Sequence, residues 1–239
     1  MIKERRAMRP FNISTRLKTI ASYIPKGSFF ADIGTDHAYL PCYVCLKDAN
    51  ARVIAGEVNK GPYESALQTV DKYGLNDVID VRLGDGLDII TAEEKIRQLV
   101  IAGMGGSLIT KILDQGTFQL SSVERMIVQP NIDSRQVRRW MFNHQYAIVD
   151  EIIIEENNHI YEIIVADHGK PHPYDEDMQE QQLLFGPFLM QKKSQLFYKK
   201  WSREKQKLIK IINQMAQAKQ ENNQLRQFKQ ELQWIKEVL

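Results

Sequence analysis

The chain has 239 residues, of which 43% are hydrophobic and 26% are charged, and its formal net charge is +2. This length predicts one full domain and a smaller appendage, because a domain holds roughly 150 residues. No segment approaches the roughly 20 apolar residues that a membrane-spanning helix needs, and no signal-peptide core is evident. We therefore expect a cytoplasmic protein that does not contact a membrane.

Lysine and arginine are concentrated in two segments. Residues 1–18 hold six of them against one glutamate, and residues 192–210 hold eight against one. Two basic segments around an acidic middle are typical of a nucleic-acid-binding protein with a neutral catalytic core. The alternative for either segment alone is a solvated helix surface.

Short apolar runs alternate with amphipathic helices between residues 12 and 145. Asn12 or Ser14 is predicted to cap a first helix, and Ser134 to cap the helix after the fifth strand. Five strands are predicted at 29–32, 52–57, 78–83, 97–102 and 126–128. Because helices separate them, we expect parallel pairing with helices on both faces of the sheet.

The last two predicted strands are not separated by a helix. Residues 146–155 and 159–166 are β-branched runs joined by Glu156-Asn157-Asn158, which predicts an antiparallel hairpin. The predicted fold class is therefore α/β, with a Rossmann-like, seven-stranded, mostly parallel sheet that holds one antiparallel strand. This layout resembles the sheet of class I methyltransferases, whereas a dehydrogenase sheet does not end in such a hairpin.

The segment after the first strand narrows the choice of ligand. A dinucleotide site needs Gly-x-Gly-x-x-Gly, but here Gly34 is followed by Asp36 and Tyr39 at the second and third glycine positions. Asp32 and Asp36 would face a ligand at the carboxyl end of the strand and would repel a diphosphate. A cationic or zwitterionic ligand is favoured, and S-adenosylmethionine, with its sulfonium and ammonium groups, fits this description.

Acids and glycines also follow the later strands. Glu57 ends the second strand, where a carboxylate can accept from both ribose hydroxyls, and Asp85 and Gly86 after the third strand suit the adenine amino group. Gly103 and Met104 after the fourth strand would let a substrate approach the sulfonium. For each residue alone, the alternative is a solvated acid or a simple turn. The predicted cofactor-binding residues are Asp32, Gly34, Asp36, His37, Glu57, Asp85, Gly86, Gly103 and Met104.

Cys42 and Cys45 form a Cys-x-x-Cys pair in the helix after Gly34. A zinc site would need two further ligands at suitable spacing, and the sequence shows none. We therefore predict two buried thiols and no metal site.

The composition changes after Gly169-Lys170-Pro171-His172-Pro173, which is typical of a linker. We predict a ligand-binding domain at 1–168 and a helical, coiled-coil-like domain at 169–239. Asn222-Asn223 is expected to reverse the chain between antiparallel helices at 187–220 and 224–238, in a monomer, with a coiled-coil dimer as the alternative. The predicted seam is Leu208, Ile211, Met215, Ala218, Asn222, Leu225, Lys229, Leu232 and Leu239.

Together these motifs resemble the TrmK family, bacterial tRNA (adenine-N1)-methyltransferases that modify adenine 22. The motifs are Asp32-Ile33-Gly34-Thr35-Asp36-His37-Ala38-Tyr39-Leu40-Pro41, Glu57 with Gly61-Pro62, Gly84-Asp85-Gly86-Leu87, and Ile101-Ala102-Gly103-Met104-Gly105-Gly106. The similarity covers residues 12–168 and continues into the helical tail, and residues 1–11 look longer than the family needs. It implies methylation of N1 of adenine 22, with S-adenosylmethionine as cofactor and tRNA as partner.

The resemblance implies that catalysis is mainly alignment, because adenine N1 is already a lone-pair nucleophile. Gln129-Pro130-Asn131 lies where amino-methyltransferases carry Asn/Asp-Pro-Pro-Tyr/Phe, but it lacks the aromatic residue. Its two amides are predicted to bond the base edge, and Tyr39 or Met104 to stack on the base. Asp36 is predicted to stabilise developing positive charge. The predicted catalytic residues are Asp36, Gln129, Asn131 and Tyr39, whereas His37 is predicted to be structural or part of the cofactor pocket.

The basic tail is predicted to clamp tRNA phosphates without reading sequence. Its aromatic residues are expected to pack on the sheet domain; they are Phe197, Tyr198 and Trp201. Alanine at Lys199, Lys200 and Arg203 is expected to weaken tRNA binding and its salt dependence.

Three other interpretations remain open at this point. The protein could be a class I methyltransferase that acts on another RNA, a protein or a small molecule, which the basic ends disfavour. It could be a non-catalytic adaptor, which the complete set of acids at the strand ends disfavours. A dehydrogenase is disfavoured by the single-glycine loop.

Overall fold

The computed structural model of the chain describes residues 11–217 and 223–239. Within this part, seven strands form one sheet: β1 (Phe29–Ile33), β2 (Arg52–Glu57), β3 (Ile79–Leu83), β4 (Gln98–Gly105), β5 (Arg125–Ile132), β6 (Tyr146–Glu156) and β7 (His159–His168). The α-helices are α1 (Thr15–Ser22), α2 (Tyr39–Lys47), α3 (Lys60–Lys72), α4 (Gly106–Gln115), α5 (Ser134–Asn143), α6 (Gln179–Phe185), α7 (Pro187–Lys192), α8 (Gln195–Gln217) and α9 (Asn223–Val238). None of these helices is long and apolar enough to cross a membrane.

The strands lie in the order β3-β2-β1-β4-β5-β7-β6. β1 to β5 pair in parallel, whereas β7 is antiparallel to both of its neighbours. The predicted mostly parallel sheet with one reversed strand is therefore confirmed. The chain runs from β1 toward one edge and then returns to β4, so a crevice opens between these strands at their carboxyl ends.

Alternate residues of the strands face two apolar cores. Phe30 and Val53 point into a core covered by α1, α2 and α3, whereas Ala31 and Ile54 point into a core covered by α4 and α5. This explains why each central strand is a continuous apolar run in the sequence. Burial on both faces holds the strand ends, and the side chains they carry, in fixed positions.

β4 and β5 extend beyond their predicted ends at 102 and 128. The two strands keep pairing through a bulge around Met104, where Gly103 adopts a φ of 81°. Gln129, Pro130 and Asn131 are consequently residues of β5, and not of a loop after it. The sequence conceals this because glycine and proline in the two segments predict turns.

The helix caps are partly as predicted. Ser14 caps α1 by accepting a hydrogen bond from the Leu17 N–H at 3.2 Å. The prediction for Ser134 is wrong, because Asp133 at φ 59° is the N-cap of α5 and Ser134 is its first residue. Asp133 packs so close to Gly106 that a Cβ on residue 106 would lie 2.3 Å from the Asp133 carbonyl oxygen.

The tail differs from the two predicted helices. A helix α6 precedes Gly186, and the predicted helix from 187 onward breaks at Lys193, which has a φ of 38°. The break lets Lys192 reach the Asp150 carboxylate at 2.7 Å, while Ser194 Oγ accepts from the Phe197 N–H at the start of α8. Tertiary contacts set this break, and no glycine or proline marks it in the sequence.

α8 and α9 pack along each other. They are antiparallel, because Lys193 Nζ, two residues before α8 begins, donates to the Val238 carbonyl at the end of α9. The predicted turn residue Asn222 and seam residue Ala218 lie outside the described residues. The seam is wrong for Ile211, Lys229 and Leu239, which are exposed. Leu208, Leu225, Ile235 and Val238 are buried, and all of these except Leu225 belong to a core against which Ile153 of β6 packs.

Candidate active site

A cavity of about 560 Å³ lies at the carboxyl ends of β1 to β4, in the crevice where the strand order reverses. Its volume is within the range of about 300–1,000 Å³ that is usual for small-molecule sites. Ten of the twelve predicted site residues line it: Asp32, Gly34, Asp36, Tyr39, Glu57, Asp85, Gly86, Gly103, Met104 and Asn131. His37 and Gln129 do not line it.

Asp32 supplies a buried carboxylate at the end of β1. Its Oδ2 accepts from Thr35 Oγ1 at 2.6 Å. Burial raises the pKa of Asp32 to about 7; the Thr35 hydrogen bond and Arg16 oppose this rise, and the nearby Glu57 carboxylate adds to it. A cation bound beside Asp32 would therefore favour loss of a proton that the carboxyl group otherwise holds up to neutral pH.

Gly34 brings the backbone close to Met104. It has a φ of 72°, and a Cβ at this position would lie 2.2 Å from Met104 Cε. The Gly34 and Thr35 N–H groups both donate to the Gly56 carbonyl at 3.0 Å, which ties the turn to β2. The turn therefore requires glycine for both its backbone conformation and its close contact.

Glu57 ends β2 with a carboxylate that is 7% exposed. Its Oε1 accepts a hydrogen bond from the Asp36 N–H. Burial raises the pKa of Glu57, and the hydrogen bond from Asp36 opposes that rise. The bond fixes one carboxylate oxygen, so the other can accept from a hydroxyl in the cavity.

His37 and Tyr39 form a stacked pair at the mouth of the cavity. Their ring centroids are 5.1 Å apart, and His37 Nε2 lies 3.6 Å from the Asp36 carboxylate. Tyr39 lines the cavity and is 42% exposed. His37 thus supports the Tyr39 ring from outside the cavity.

Asp85 and Gly86 follow β3, an edge strand of the sheet, and line the cavity. Gly86 adopts a φ of 54°, and a Cβ at this position would lie 3.2 Å from Ile112 Cγ2. Ile112 and Leu108 of α4 line the same cavity as Asp85 and add apolar wall to it. This combination suits a flat heterocycle that carries an amino group.

A series of hydrogen bonds crosses the β4–β5 side of the cavity. Arg16 Nη1 donates to Gln129 Oε1 at 2.6 Å, Gln129 Nε2 donates to Asn131 Oδ1 at 3.1 Å, and Asn131 Nδ2 donates to the Gly103 carbonyl at 2.7 Å. We call this series the amide chain. Gln129 is completely buried, so it contacts Asn131 and does not reach the cavity wall, whereas Asn131 is exposed there.

Arg16 and Tyr161 also line the cavity, although no sequence motif marks either residue. The Arg16 guanidinium lies 5.5 Å from the centroid of the Tyr161 ring. The Arg16 N–H donates to Glu156 at the tip of the β6–β7 hairpin. Both residues come from segments far from the motif-bearing loops in sequence, so only the folded chain brings them to the site.

Within the described residues, no group of three or more His, Cys, Asp or Glu could hold a metal ion. Cys42 and Cys45 are buried thiols in α2, where burial raises the pKa of each to about 12. Neutral thiols of this kind are inert at ordinary pH and serve as small apolar side chains.

The sheet order, the reversed β7 and the acid-lined cavity define the fold and site of a class I S-adenosylmethionine-dependent methyltransferase. The family model TrmK, described as tRNA (adenine(22)-N(1))-methyltransferase, matches residues 30–237. The chain is 43% identical over 236 residues to the curated tRNA (adenine(22)-N(1))-methyltransferase of Bacillus subtilis, covering 97% of this chain and 99% of that protein. The chain belongs to the TrmK family.

Two solved structures show the same likeness in three dimensions. The B. subtilis tRNA methyltransferase TrmK has a TM-score of 0.88 and 42% identity, over 95% of this chain and 99% of that chain. Streptococcus pneumoniae Sp1610, solved in complex with S-adenosyl-L-methionine, has a TM-score of 0.84 and 37% identity, over 95% of this chain and 100% of that chain.

Proposed function

We propose that this chain transfers a methyl group from S-adenosylmethionine to N1 of adenine 22 in tRNA. The observation that carries the proposal is one cavity that joins carboxylates at the ends of β1, β2 and β3 to Met104 and Asn131 on β4 and β5. The B. subtilis relative bears this activity in its name, and the S. pneumoniae relative was solved with this cofactor.

The cofactor fits the donors that the cavity presents. Asp32 and the Gly34 turn would hold the methionine end, where a buried carboxylate meets a cationic ammonium. Glu57 would accept from the ribose hydroxyls, and Asp85 with Gly86 would contact the adenine ring. His37 would act on this pocket only through the Asp36–Tyr39 segment that it touches.

The reaction requires alignment of adenine N1 with the methyl group, and it requires no catalytic base. Bound S-adenosylmethionine supplies an electrophilic methyl group on a sulfonium. The adenine N1 lone pair forms the new N–C bond as the C–S bond breaks and sulfur keeps that electron pair, so no proton moves. The residues of the chain therefore need to orient the base and exclude water.

The acceptor side of the cavity supplies this orientation. Tyr39 at the mouth and Met104 beside Gly34 would stack on the base, and Asn131 would bond its edge. The Asp36 carboxylate, which is 70% exposed, would stabilise the positive charge of the methylated base. Gln129 would act through Asn131, because it is buried behind that residue.

The helical tail, residues 169–239, would bind the body of the tRNA as a second domain. The three tail cations that the sequence predicts to contact tRNA instead have acidic partners in the structure. Lys199 and Arg203 face Glu155, and Lys200 bonds the Glu162 carboxylate. These cations dock the tail on the β6–β7 hairpin. Four exposed cations of α8 and α9 form no ion pair within the described residues: Lys210, Arg226, Lys229 and Lys236.

The tail aromatics support this docking role. Phe197 and Trp201 are buried in a core shared with Ile153 of β6. Tyr198 is 38% exposed, with its ring centroid 6.0 Å from that of Phe197. We propose a monomer that acts in the cytoplasm, where tRNA is available, and measurement of the mass in solution tests the oligomeric state.

The test is incubation with labelled S-adenosylmethionine and unmodified bulk tRNA, followed by nucleoside identification by mass spectrometry. We expect labelled N1-methyladenosine. Label in another nucleoside would replace the proposal with methylation of a different RNA site. Cofactor binding without label in any tRNA would instead support an adaptor or a methyltransferase with a different substrate.

A further inference from the structure

We propose that Arg16 fixes the direction of the amide chain, and that Asn131 thereby reads the Hoogsteen edge of the acceptor adenine. Arg16 and Gln129 are then positioning residues, and Asn131 determines specificity for the base. This inference rests on the proposed function, because it needs adenine as the methyl acceptor.

The two ends of the amide chain impose one direction on it. The Arg16 guanidinium can only donate hydrogen bonds, and the Gly103 carbonyl can only accept them. Gln129 must therefore turn Oε1 to Arg16 and Nε2 to Asn131, which in turn must receive that donor on Oδ1. Flipping either amide would place like groups together and leave a buried group unpaired.

The position of Arg16 is itself fixed from several sides. Ser14 caps its helix, the Glu156 carboxylate accepts its backbone N–H at 3.3 Å, and the Tyr161 ring lies beneath its guanidinium. Its side chain therefore reaches Gln129 from a rigid base. The direction of the amide chain therefore does not depend on a mobile surface side chain.

Asn131 keeps unused hydrogen-bonding capacity. An amide offers two N–H donors and two lone pairs, and the amide chain uses one of each. Asn131 is exposed at the cavity wall, whereas Gln129 is completely buried. The remaining donor and acceptor of Asn131 are therefore the ones available to a base in the cavity.

Adenine can meet that pair only through one edge. N1 must face the methyl group, which leaves the N6–H donor and the N7 acceptor of the Hoogsteen edge. An asparagine amide pairs with these two atoms, with Oδ1 accepting from N6 and Nδ2 donating to N7. Guanine presents O6 in place of the N6 amino group, so Oδ1 would face another acceptor.

The experiment compares a tRNA that carries adenosine at position 22 with one that carries 7-deazaadenosine there. The deaza base lacks the N7 acceptor and keeps N1. For the wild-type protein we expect kcat/KM on the deaza tRNA to be lower by about fivefold, the value of one hydrogen bond. N1-methyladenosine formation on the ordinary tRNA confirms the proposed function separately.

The variants test whether the amide chain sets this preference. In Gln129→Glu the carboxylate still accepts from Arg16 but cannot donate, so Asn131 must turn Nδ2 toward it. We expect lower activity on ordinary tRNA and loss of the fivefold difference between the two tRNAs. Arg16→Ala should also reduce that difference, and Arg16→Lys, which keeps a donor, should restore part of it.

Controls separate positioning from folding. Arg52→Ala, at an exposed position on the first residue of β2, should match the wild type on both tRNAs. Cofactor binding measured by calorimetry confirms that each variant is folded. If Gln129→Glu does not fold, Arg16→Ala is used to compare activity on the two tRNAs. A wild-type protein that treats both tRNAs alike, or a Gln129→Glu variant that keeps the full difference, would overturn the inference while leaving the proposed function intact.

Discussion

Arg138 Nε donates to Glu151 Oε1 at 2.6 Å, and neither side chain has any exposed surface. Arg138 Nη2 also bonds Glu162 at 2.9 Å, and Glu162 in turn accepts from Lys200 of α8. The second oxygen of Glu151 accepts from the Phe188 N–H at 3.0 Å. This buried cluster therefore joins α5, β6 and β7 to the helical tail.

Removing Arg138 should destabilise the protein strongly. In Arg138→Met, two buried carboxylates lose their shared cation, and we expect the free energy of unfolding to fall by about 3–5 kcal/mol. Arg139→Met removes the half-exposed pair with Glu180 and should change it by less than about 1 kcal/mol. Urea unfolding of both variants measures this, and equal effects would contradict the account.

Cofactor binding should depend on the ionisation of Asp32. Its pKa of about 7 in the free protein means that the carboxyl group is protonated at lower pH. A bound ammonium favours the carboxylate, so affinity should fall from about pH 8 to about pH 6, by at most about tenfold per pH unit. Calorimetry across this range measures the trend, which should flatten in Asp32→Asn.

The raised pKa of Asp32 affects the stability of the free protein in the opposite direction to cofactor affinity. Because the pKa of Asp32 is higher in the folded than in the unfolded chain, its contribution to stability is present below the ordinary pKa near 4 and falls as pH rises through about 7. The thermal stabilisation by S-adenosylmethionine should therefore be larger at about pH 8 than at about pH 6. A pH dependence that is identical in Asp32→Asn would rule out this assignment.

Glu57→Gln should isolate the ribose contact. The glutamine can still accept from the Asp36 N–H, but it lacks the charge and the second acceptor oxygen. We expect the dissociation constant for S-adenosylmethionine to rise by about tenfold or more, the value of a hydrogen bond to a charged group. Glu64→Gln, at an exposed pair with Lys60 on α3, is the matched control. Unchanged affinity in Glu57→Gln would remove Glu57 from the cofactor site.

The exposed cations of the tail that have no ion pair in the described part of the chain should dominate its binding to tRNA. Alanine at Lys210, Arg226 and Lys229 should weaken binding and reduce the salt slope by about 0.7–0.9 for each phosphate that the variant no longer neutralises. Alanine at Lys199 and Arg203 should have a smaller effect on the slope, because Glu155 already engages both cations. Titrations at several salt concentrations measure the slopes. A larger effect of the Lys199 and Arg203 variants would instead support the tRNA contacts that the sequence predicts for these two residues.

Local pattern was sufficient for the sheet and for the cofactor side of the site. Apolar runs of the length of β1 and β2, each with an acid at or next to its last residue, reveal buried parallel strands and the residues that must meet at their ends. The sequence alone therefore predicts that Asp32, Glu57 and Asp85 line one cavity, as they do in the structure.

Other features depend on long-range contacts that no local pattern encodes. Arg16 and Gln129 are 113 residues apart, and the break at Lys193 follows from the docking of α7 on β6. Charge in the sequence also gave no sign of the acidic partners of Lys199, Lys200 and Arg203, because these partners lie about 40 residues earlier on the β6–β7 hairpin.

The most direct test of the proposed methylation of adenine 22 uses two otherwise identical tRNA transcripts, one with adenine and one with guanine at position 22. After reaction with S-adenosylmethionine, fragments of each transcript are mapped by mass spectrometry. We predict one added methyl group at position 22 of the adenine transcript, present as N1-methyladenosine, and none in the guanine transcript. Equal methylation of both transcripts, or a methyl group at another position, would contradict this prediction.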